Sequence, residues 1–263
     1  MGADLAVLRN NLEALERVLV AFSGGADSAF LAWVAHDTLG YESARCFTAV
    51  SPSIADSELE ECARLAQEWG LNWEPIKTSE MENAAYRVND SDRCYYCKSA
   101  LMDVAEPVAQ LHDCVVVLGV NTDDLGDHRP GQSAAEERKA RFPLVEAKFS
   151  KADVRAHSQH LGLRTWDKPA AACLASRIPY GTEVSVSLLR KLDRAESALK
   201  ALGFEQLRVR DYGEVARLEF DLDQLSVALE RRVEIIEAVK AVGYQYVTLD
   251  LEGFRSGNLN HSI

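Results

Sequence analysis

The sequence predicts an α/β protein in which helices cover both faces of a parallel sheet, followed by a smaller α+β region. Three observations carry this. Short apolar runs rich in Val, Leu and Phe alternate with helix-length segments as far as Leu161. A glycine-rich turn stands between the first of these runs and the next helix. Beyond Gly181 the order changes, and two adjacent strands follow one long helix.

Taken in order, an amphipathic helix from Leu5 to Glu16 precedes the strand Arg17 to Phe22, and a helix follows the glycine turn. Then come a strand from Arg45 to Val50, a helix from Asp56 to Trp69, a strand from Asn72 to Lys77, a helix from Cys94 to Leu111 and a strand from Cys114 to Val120. Strands separated by helices of this length require parallel pairing with both faces covered. Ser150 is a helix N-cap for a segment ending near Leu161. Trp166 to Gly181 has two prolines and no clear period, so it reads as a loop joining two domains, 1–180 and 181–263. The second domain reads αββαβ: a helix from Ser185 to Leu202, strands Gln206 to Arg210 and Glu214 to Phe220, a helix from Leu225 to Val242, and a strand from Tyr244 to Leu251.

Composition narrows the function. No apolar run reaches the ~18 residues of a membrane helix, and MGADLAVLRNNLEALER lacks the basic start and apolar stretch of a signal peptide. A cytoplasmic location is expected. A formal charge of -12 argues against a broad nucleic-acid footprint, which needs basic surface. A small-molecule substrate is the expectation that remains.

The segment Ser23-Gly24-Gly25-Ala26-Asp27-Ser28 stands where a backbone nest presents amide hydrogens to an anion. The hydroxyls of Ser23 and Ser28 add donors, and Asp27 can hold a metal ion such as magnesium that bridges phosphates. No Lys follows the glycines, so the pattern is not the Walker A loop. An ordinary strand-to-helix turn also uses glycine, but it does not require the flanking hydroxyls and the carboxylate. SGGADS resembles the fingerprint of the PP-loop ATP pyrophosphatases, which have an adenine nucleotide alpha hydrolase-like fold. That resemblance implies binding of the pyrophosphate of ATP and transfer of AMP to a substrate oxygen. GMP, NAD and argininosuccinate synthetases and tRNA thiolases share the loop, which does not choose among them.

Of the six cysteines, Cys46, Cys62 and Cys114 lie in apolar patterns and read as buried, inert thiols. Cys94 and Cys97 sit three apart in Arg93-Cys94-Tyr95-Tyr96-Cys97-Lys98 at a helix start, where the dipole, Arg93 and Lys98 favour thiolate. Alone, this spacing leaves a redox pair, a zinc half-site and a cluster half-site open. Cys173 is the one other cysteine in a loop, and three thiolates leave one iron of a 4Fe-4S cluster without a protein ligand.

RCYYCK and ACLASRIPYG, with the block Gly119 to Gly131 and the ending Gly253 to Asn260, resemble the LarE family of ATP-dependent sulfur transferases of nickel-pincer nucleotide biosynthesis. The blocks span nearly the whole chain. The resemblance implies that ATP and magnesium adenylate a carboxylate of a pyridinium dicarboxylate mononucleotide, and that sulfur then displaces AMP. It places Asn121 and Asp124 beside the nucleotide and implies a homo-oligomer assembled around the C-terminal domain. Family members take sulfur either from the cysteine equivalent to Cys173, which becomes dehydroalanine, or from a three-cysteine 4Fe-4S cluster carrying a replaceable sulfide. The presence of both Cys94 and Cys97 points to the cluster type.

Arg208 and Arg210 fall on one strand face and suit phosphate recognition, although a solvated edge strand would look the same. The resemblance places a substrate-phosphate site on them and another at Arg255, while Arg177 either steadies the cysteine loop or neutralises the adenylate. Glu196 matches a family metal carboxylate near the subunit contact; on an exposed helix it would only be solvated. No histidine shows metal-ligand spacing. His157 and His160 read as surface residues, and at His128 the family more often has Tyr. Three rivals share the loop: an ammonia-using synthetase, which does not need the thiols; a tRNA thiolase, against which the acidic balance counts; and a nucleotide sensor that never turns over.

Overall fold

A computed structural model describes residues 2–126, 130–169 and 172–255. His128 and Ser256 to Asn260, within the blocks given above, lie outside the described residues. In chain order the elements are α1 (Leu5–Glu13), β1 (Val18–Ala21), α2 (Ala26–Leu39), β2 (Ala44–Val50), α3 (Asp56–Trp69), β3 (Asn72–Lys77), α4 (Ala84–Val88), α5 (Arg93–His112), β4 (Val115–Leu118), α6 (Pro130–Glu137), α7 (Pro143–Glu146), α8 (Lys151–His160), α9 (Val186–Ala201), β5 (Leu207–Tyr212), β6 (Val215–Phe220), α10 (Leu225–Glu230), α11 (Arg232–Ala241) and β7 (Tyr246–Leu249). They form two compact units, one of Met1–Ser51, Ser57–Glu82 and Cys94–Ala171, the other of Pro52–Asp56, Asn83–Arg93 and Ala172–Ile263.

The first unit is built on a parallel sheet of order β3-β2-β1-β4. Alternation along the strands explains why they read as unbroken apolar runs. Val18, Val20, Cys46 and Val117 enter one core with α1, α2 and α3, while Leu19, Phe47, Val116 and Leu118 enter a second core with α5 and α6. Helix α2 buries Ala29, Phe30, Leu31, Ala32, Val34 and Ala35, nearly all round its circumference. Each fully buried Leu or Phe stabilises the fold by about 1.5–3 kcal/mol, so the helix whose N-terminus follows the glycine loop is firmly anchored. Ser150 caps α8 through a reciprocal capping box with Asp153, as its position predicts.

The strand order has a functional consequence. β2 and β4 flank β1 on opposite sides, so the sheet's switch point lies between β1 and β4. Ligands of open α/β sheets bind beyond the carboxyl ends of the strands at such a point. The segments leaving those two ends are 22–25 and 119–121.

In the second unit β5 and β6 pair antiparallel, with Arg208 opposite Glu219, and β6 and β7 pair parallel. The single helix expected over Leu225 to Val242 is divided at Arg231, whose backbone leaves the helix at φ -94°, ψ 19°. Its guanidinium donates to the Leu202 carbonyl and pairs with Glu234 at 2.7 Å, a tertiary tie that local pattern does not encode. Among the described residues no helix is long and apolar enough to cross a membrane.

Candidate functional site

Gly25 is the N-cap of α2 in an extended conformation and offers no side-chain acceptor, so the first-turn amides of α2 lack the usual side-chain cap. Ser28 closes the loop. Its Oγ accepts from the Ser23 N–H at 3.2 Å, lies 3.0 Å from Ser23 Oγ, and donates to the Gly25 carbonyl at 3.1 Å. Two glycines are required on steric grounds. Gly24 has φ +69°, and a Cβ there would meet Cys62 Sγ at 3.0 Å. Gly119, leaving β4, lies so close to the loop that a Cβ would fall 2.8 Å from the Ser28 backbone N and Cα. Both loops of the switch point are thereby in backbone contact. If the loop binds pyrophosphate as its sequence leads one to expect, Gly119→Ala displaces Ser28 and weakens that binding at least ~10-fold, a loss of about 1.4 kcal/mol, measurable by calorimetric titration; unchanged affinity would show that the contact is not needed.

Asn121 organises the carboxylates beside that contact. Its Nδ2 donates to Asp27 Oδ1 at 3.1 Å, its Oδ1 accepts from the Asp123 N–H at 3.0 Å, and its own N–H donates to Asp124 Oδ2 at 3.1 Å. Burial raises the Asp27 pKa and Asp124 raises it further, against the Asn121 hydrogen bond and the charge of Lys151. A half-buried carboxylate with its charge disfavoured and a second carboxylate in reach fits a hard divalent cation, which would offset both.

The thiols divide as their contexts predict in two of three inert cases. Cys46 and Cys62 are buried, with burial pushing the Cys46 thiol up to about 12, whereas Cys114 is half-buried and donates to the His112 carbonyl at 3.5 Å. In the first unit Cys94 is exposed and Cys97 half-exposed on the first turn of α5. Lys98 stands beside them. Burial lowers its pKa, while Cys97 and Cys94 pull the other way. Arg93 is buried, and Nη1 donates to Asn89 Oδ1 and, at 2.9 Å, to the Ala175 carbonyl.

Within the second unit, Cys173 is exposed ahead of a 3-10 turn, Leu174–Arg177, that is held from several sides. The Leu174 N–H donates to the Ser53 carbonyl at 2.8 Å, and Arg177 Nη1 to the carbonyls of Ala172 at 2.6 Å and Cys173 at 3.0 Å. Asn89, in the left-handed conformation at the end of α4, donates to the carbonyls of Pro179 at 2.9 Å and Thr182 at 3.0 Å. The turn that carries Cys173, within the segment read as a loop joining two domains, is therefore a fixed platform for one thiol. Within each unit, no three His, Cys, Asp or Glu side chains among the described residues gather tightly enough to hold a metal ion.

Arg177 makes a two-pronged pair with Glu196 at 2.9 and 2.8 Å, and Glu196 Oε1 also accepts the Val209 N–H at 3.0 Å. Glu196 is buried, not solvated, and these donors occupy both of its oxygens. Arg210 is buried and pairs with Glu219 at 2.8 Å. β5 is an edge strand, yet its arginine face is not a solvated one. Arg208 lies 4.9 Å over the Phe254 ring. Burial first, and then the charge of Arg177, lowers its pKa to about 10. Arg217 reaches the same Glu219 at 3.0 Å, and guanidinium groups gathered in this way are the side chains that suit a phosphate. Arg255 is exposed and pairs with Glu252. His157 departs from its surface assignment: its ring packs 5.3 Å from Phe149, and Nε2 is 3.0 Å from the Ala3 carbonyl. It stands three residues after buried Val154, on the inner face of α8.

Sequence reasoning passed over Asn89 and Lys168, and it took in Gly119 only as the start of a family block. An Asn directly after a short helical pattern is the signal that marked Asn89.

A parallel sheet carrying a glycine loop at its switch point defines a PP-loop-like, Rossmann-type domain. No protein-family model matches the chain. It is 46% identical over 266 residues to an uncharacterized protein of Synechocystis, across 100% of this chain and 99% of that one. It is 36% identical over 264 residues to the pyridinium-3,5-bisthiocarboxylic acid mononucleotide synthase of Lactiplantibacillus plantarum, across 100% of this chain and 96% of the synthase. An uncharacterized protein of Methanocaldococcus jannaschii is 30% identical over 256 residues, 96% of this chain and 97% of its own length. The chain belongs to the LarE family.

Proposed function

We propose that the protein is a cytoplasmic, ATP-dependent and AMP-forming sulfurtransferase that converts the carboxylates of a pyridinium-3,5-dicarboxylate mononucleotide to thiocarboxylates for the nickel-pincer nucleotide. The observation that carries the reading is full-length identity of 36% to the Lactiplantibacillus synthase. The glycine loop at the switch point supports it.

The amides of the Ser23–Ser28 loop bind the pyrophosphate end of ATP, and Asp27 and Asp124, oriented by Asn121, would hold magnesium, which would offset the charge of the phosphates. A substrate carboxylate oxygen attacks the α-phosphorus, and the bond to pyrophosphate breaks with its electron pair. Sulfur then attacks the activated carbonyl carbon and AMP leaves. Arg208, Arg210 and Arg255 orient the substrate phosphate, and Arg177 acts by holding the Cys173 turn. Cys94, Cys97 and Cys173 are the ligand set for a 4Fe-4S cluster, which when bound supplies replaceable sulfur. The exposure of Cys94 and Cys173 supports their access to that group. Exposed Leu229, Val233 and Ile236, spaced along α10 and α11 of the second unit, support a homo-oligomer.

Pyrophosphate release from ATP and magnesium is expected only with the pyridinium mononucleotide present, and not with bulk tRNA in its place. Release with tRNA alone would overturn the substrate assignment; none with either would leave a nucleotide sensor.

A further inference from the structure

We propose that Lys168 is the ammonium that binds the polyphosphate held by the Ser23–Ser28 loop, and that Glu58 parks it beside the loop until the anion arrives. The proposal rests on the ATP-binding reading above and adds a cation carried by the chain itself to the magnesium of that reading.

The loop has no lysine of its own after the glycines. Backbone amides and two hydroxyls do not neutralise a polyphosphate, and an acidic chain of net charge -12 supplies little diffuse positive potential. Lys168 is placed to fill that need. It belongs to the same compact unit as the loop, and a turn in which its N–H donates to the Thr165 carbonyl at 3.1 Å carries it there. Its Nζ lies 3.8 Å from the point that a Cβ on Gly24 would occupy. Cys62 Sγ at 3.0 Å and Leu65 Cδ1 at 3.7 Å surround the same point. Glu58, Cys62 and Leu65 follow one another at i, i+4 and i+7, so one face of α3 lies against the bare side of Gly24. The ammonium thus stands at van der Waals distance from the bare side of Gly24, on the flank of the loop.

Lys168 pairs with Glu58 at 2.9 Å, with side-chain exposures of 19% and 25%. Among the described residues Glu58 is the one carboxylate within ion-pair distance of it. The two are 110 residues apart in sequence, so the pair is a tertiary choice and not a helix-surface accident. A pair that still meets solvent can exchange partners, and an ammonium against a phosphate in a partly desolvated loop makes a strong charge-assisted bond. Lysine carries three donors on a flexible stem, so a short swing from Glu58 suffices.

The test is calorimetric titration of inorganic pyrophosphate, and separately ATP, with magnesium into the full-length protein and its Lys168→Ala, Glu58→Gln and doubly substituted forms. Lys168→Ala is expected to weaken both ligands about tenfold. Glu58→Gln is expected to tighten pyrophosphate, because the lysine no longer has to leave a carboxylate, and that gain is expected to vanish in the double variant. A lysine serving only as a strap between α3 and the turn would make both single variants weaken binding together, and that pattern overturns the proposal. So does wild-type affinity in Lys168→Ala. Wild-type protein that binds neither ligand would instead remove the ATP-binding reading and this assignment with it.

Discussion

Anaerobically reconstituted Cys173→Ala protein is expected to release pyrophosphate but to form no thiocarboxylate, a loss on the order of a thousandfold or more, the scale of removing a reacting group. The structure makes this a clean substitution. The bonds that hold the turn come from backbone carbonyls and from Arg177 and Ser53, while the thiol is exposed. Removing it should therefore shift stability by no more than about 0.5 kcal/mol. Cys94→Ala and Cys97→Ala decide the sulfur route. If the three thiols hold a cluster, each variant loses iron and sulfide on reconstitution together with multiple turnover. If sulfur comes from Cys173 itself, the Cys94 and Cys97 variants still complete one transfer, and the wild-type protein afterwards is lighter by hydrogen sulfide at that position. Iron analysis and intact mass separate the two.

The second large effect is on stability. Glu196→Ala is expected to cost about 3–5 kcal/mol, because it strands the buried Arg177 guanidinium without its counter-charge. It also leaves the Val209 N–H without its acceptor. The cysteine platform would loosen with it, since Arg177 links Glu196 to the Ala172 and Cys173 carbonyls. Urea unfolding is the measurement, and a change below about 1 kcal/mol would show that the pair does not hold the unit together. The pH dependence has a definite sign. Burial pushes the Glu196 carboxyl up, but the Arg177 hydrogen bonds and charge with the Val209 amide outweigh it, so its pKa lies below the ordinary value. The stabilisation is therefore complete above the unfolded carboxylate value of about 4.3 and is lost as pH falls through the folded value. A fall in wild-type stability below that range, absent in Glu196→Gln, would show the link.

Local chemistry made the first unit largely legible. The bounds of α3 and β3 coincide with periodicity, Ser150 caps the helix that it was expected to cap, and Ser185, read as the first residue of its helix, is that helix's cap. The glycine loop was legible because its residues are contiguous. What escaped was pairing across the chain. A glutamate and an arginine 19 residues apart, Glu196 and Arg177, read as solvated or ligand-directed charges until each is seen to bury the other. The Glu58–Lys168 pair and the grip of Asn89 on Pro179 and Thr182 span still longer separations, and single-sequence periodicity carries no information about them. The break at Arg231 has no proline or glycine to announce it; what accompanies it is a bond from its guanidinium to the carbonyl of Leu202, the C-cap of α9.

The Cys173 turn cannot be cut out of this polypeptide with a single pair of ends. Ser53, Asn89 and Arg93 reach it from two short stretches that lie far upstream, inside the span of the other unit. A truncated gene product beginning near Ala172 would present its thiol on a strand of peptide with idle carbonyls. Anyone wishing to transplant this thiol platform into another scaffold would have to carry three separate pieces of chain, not one.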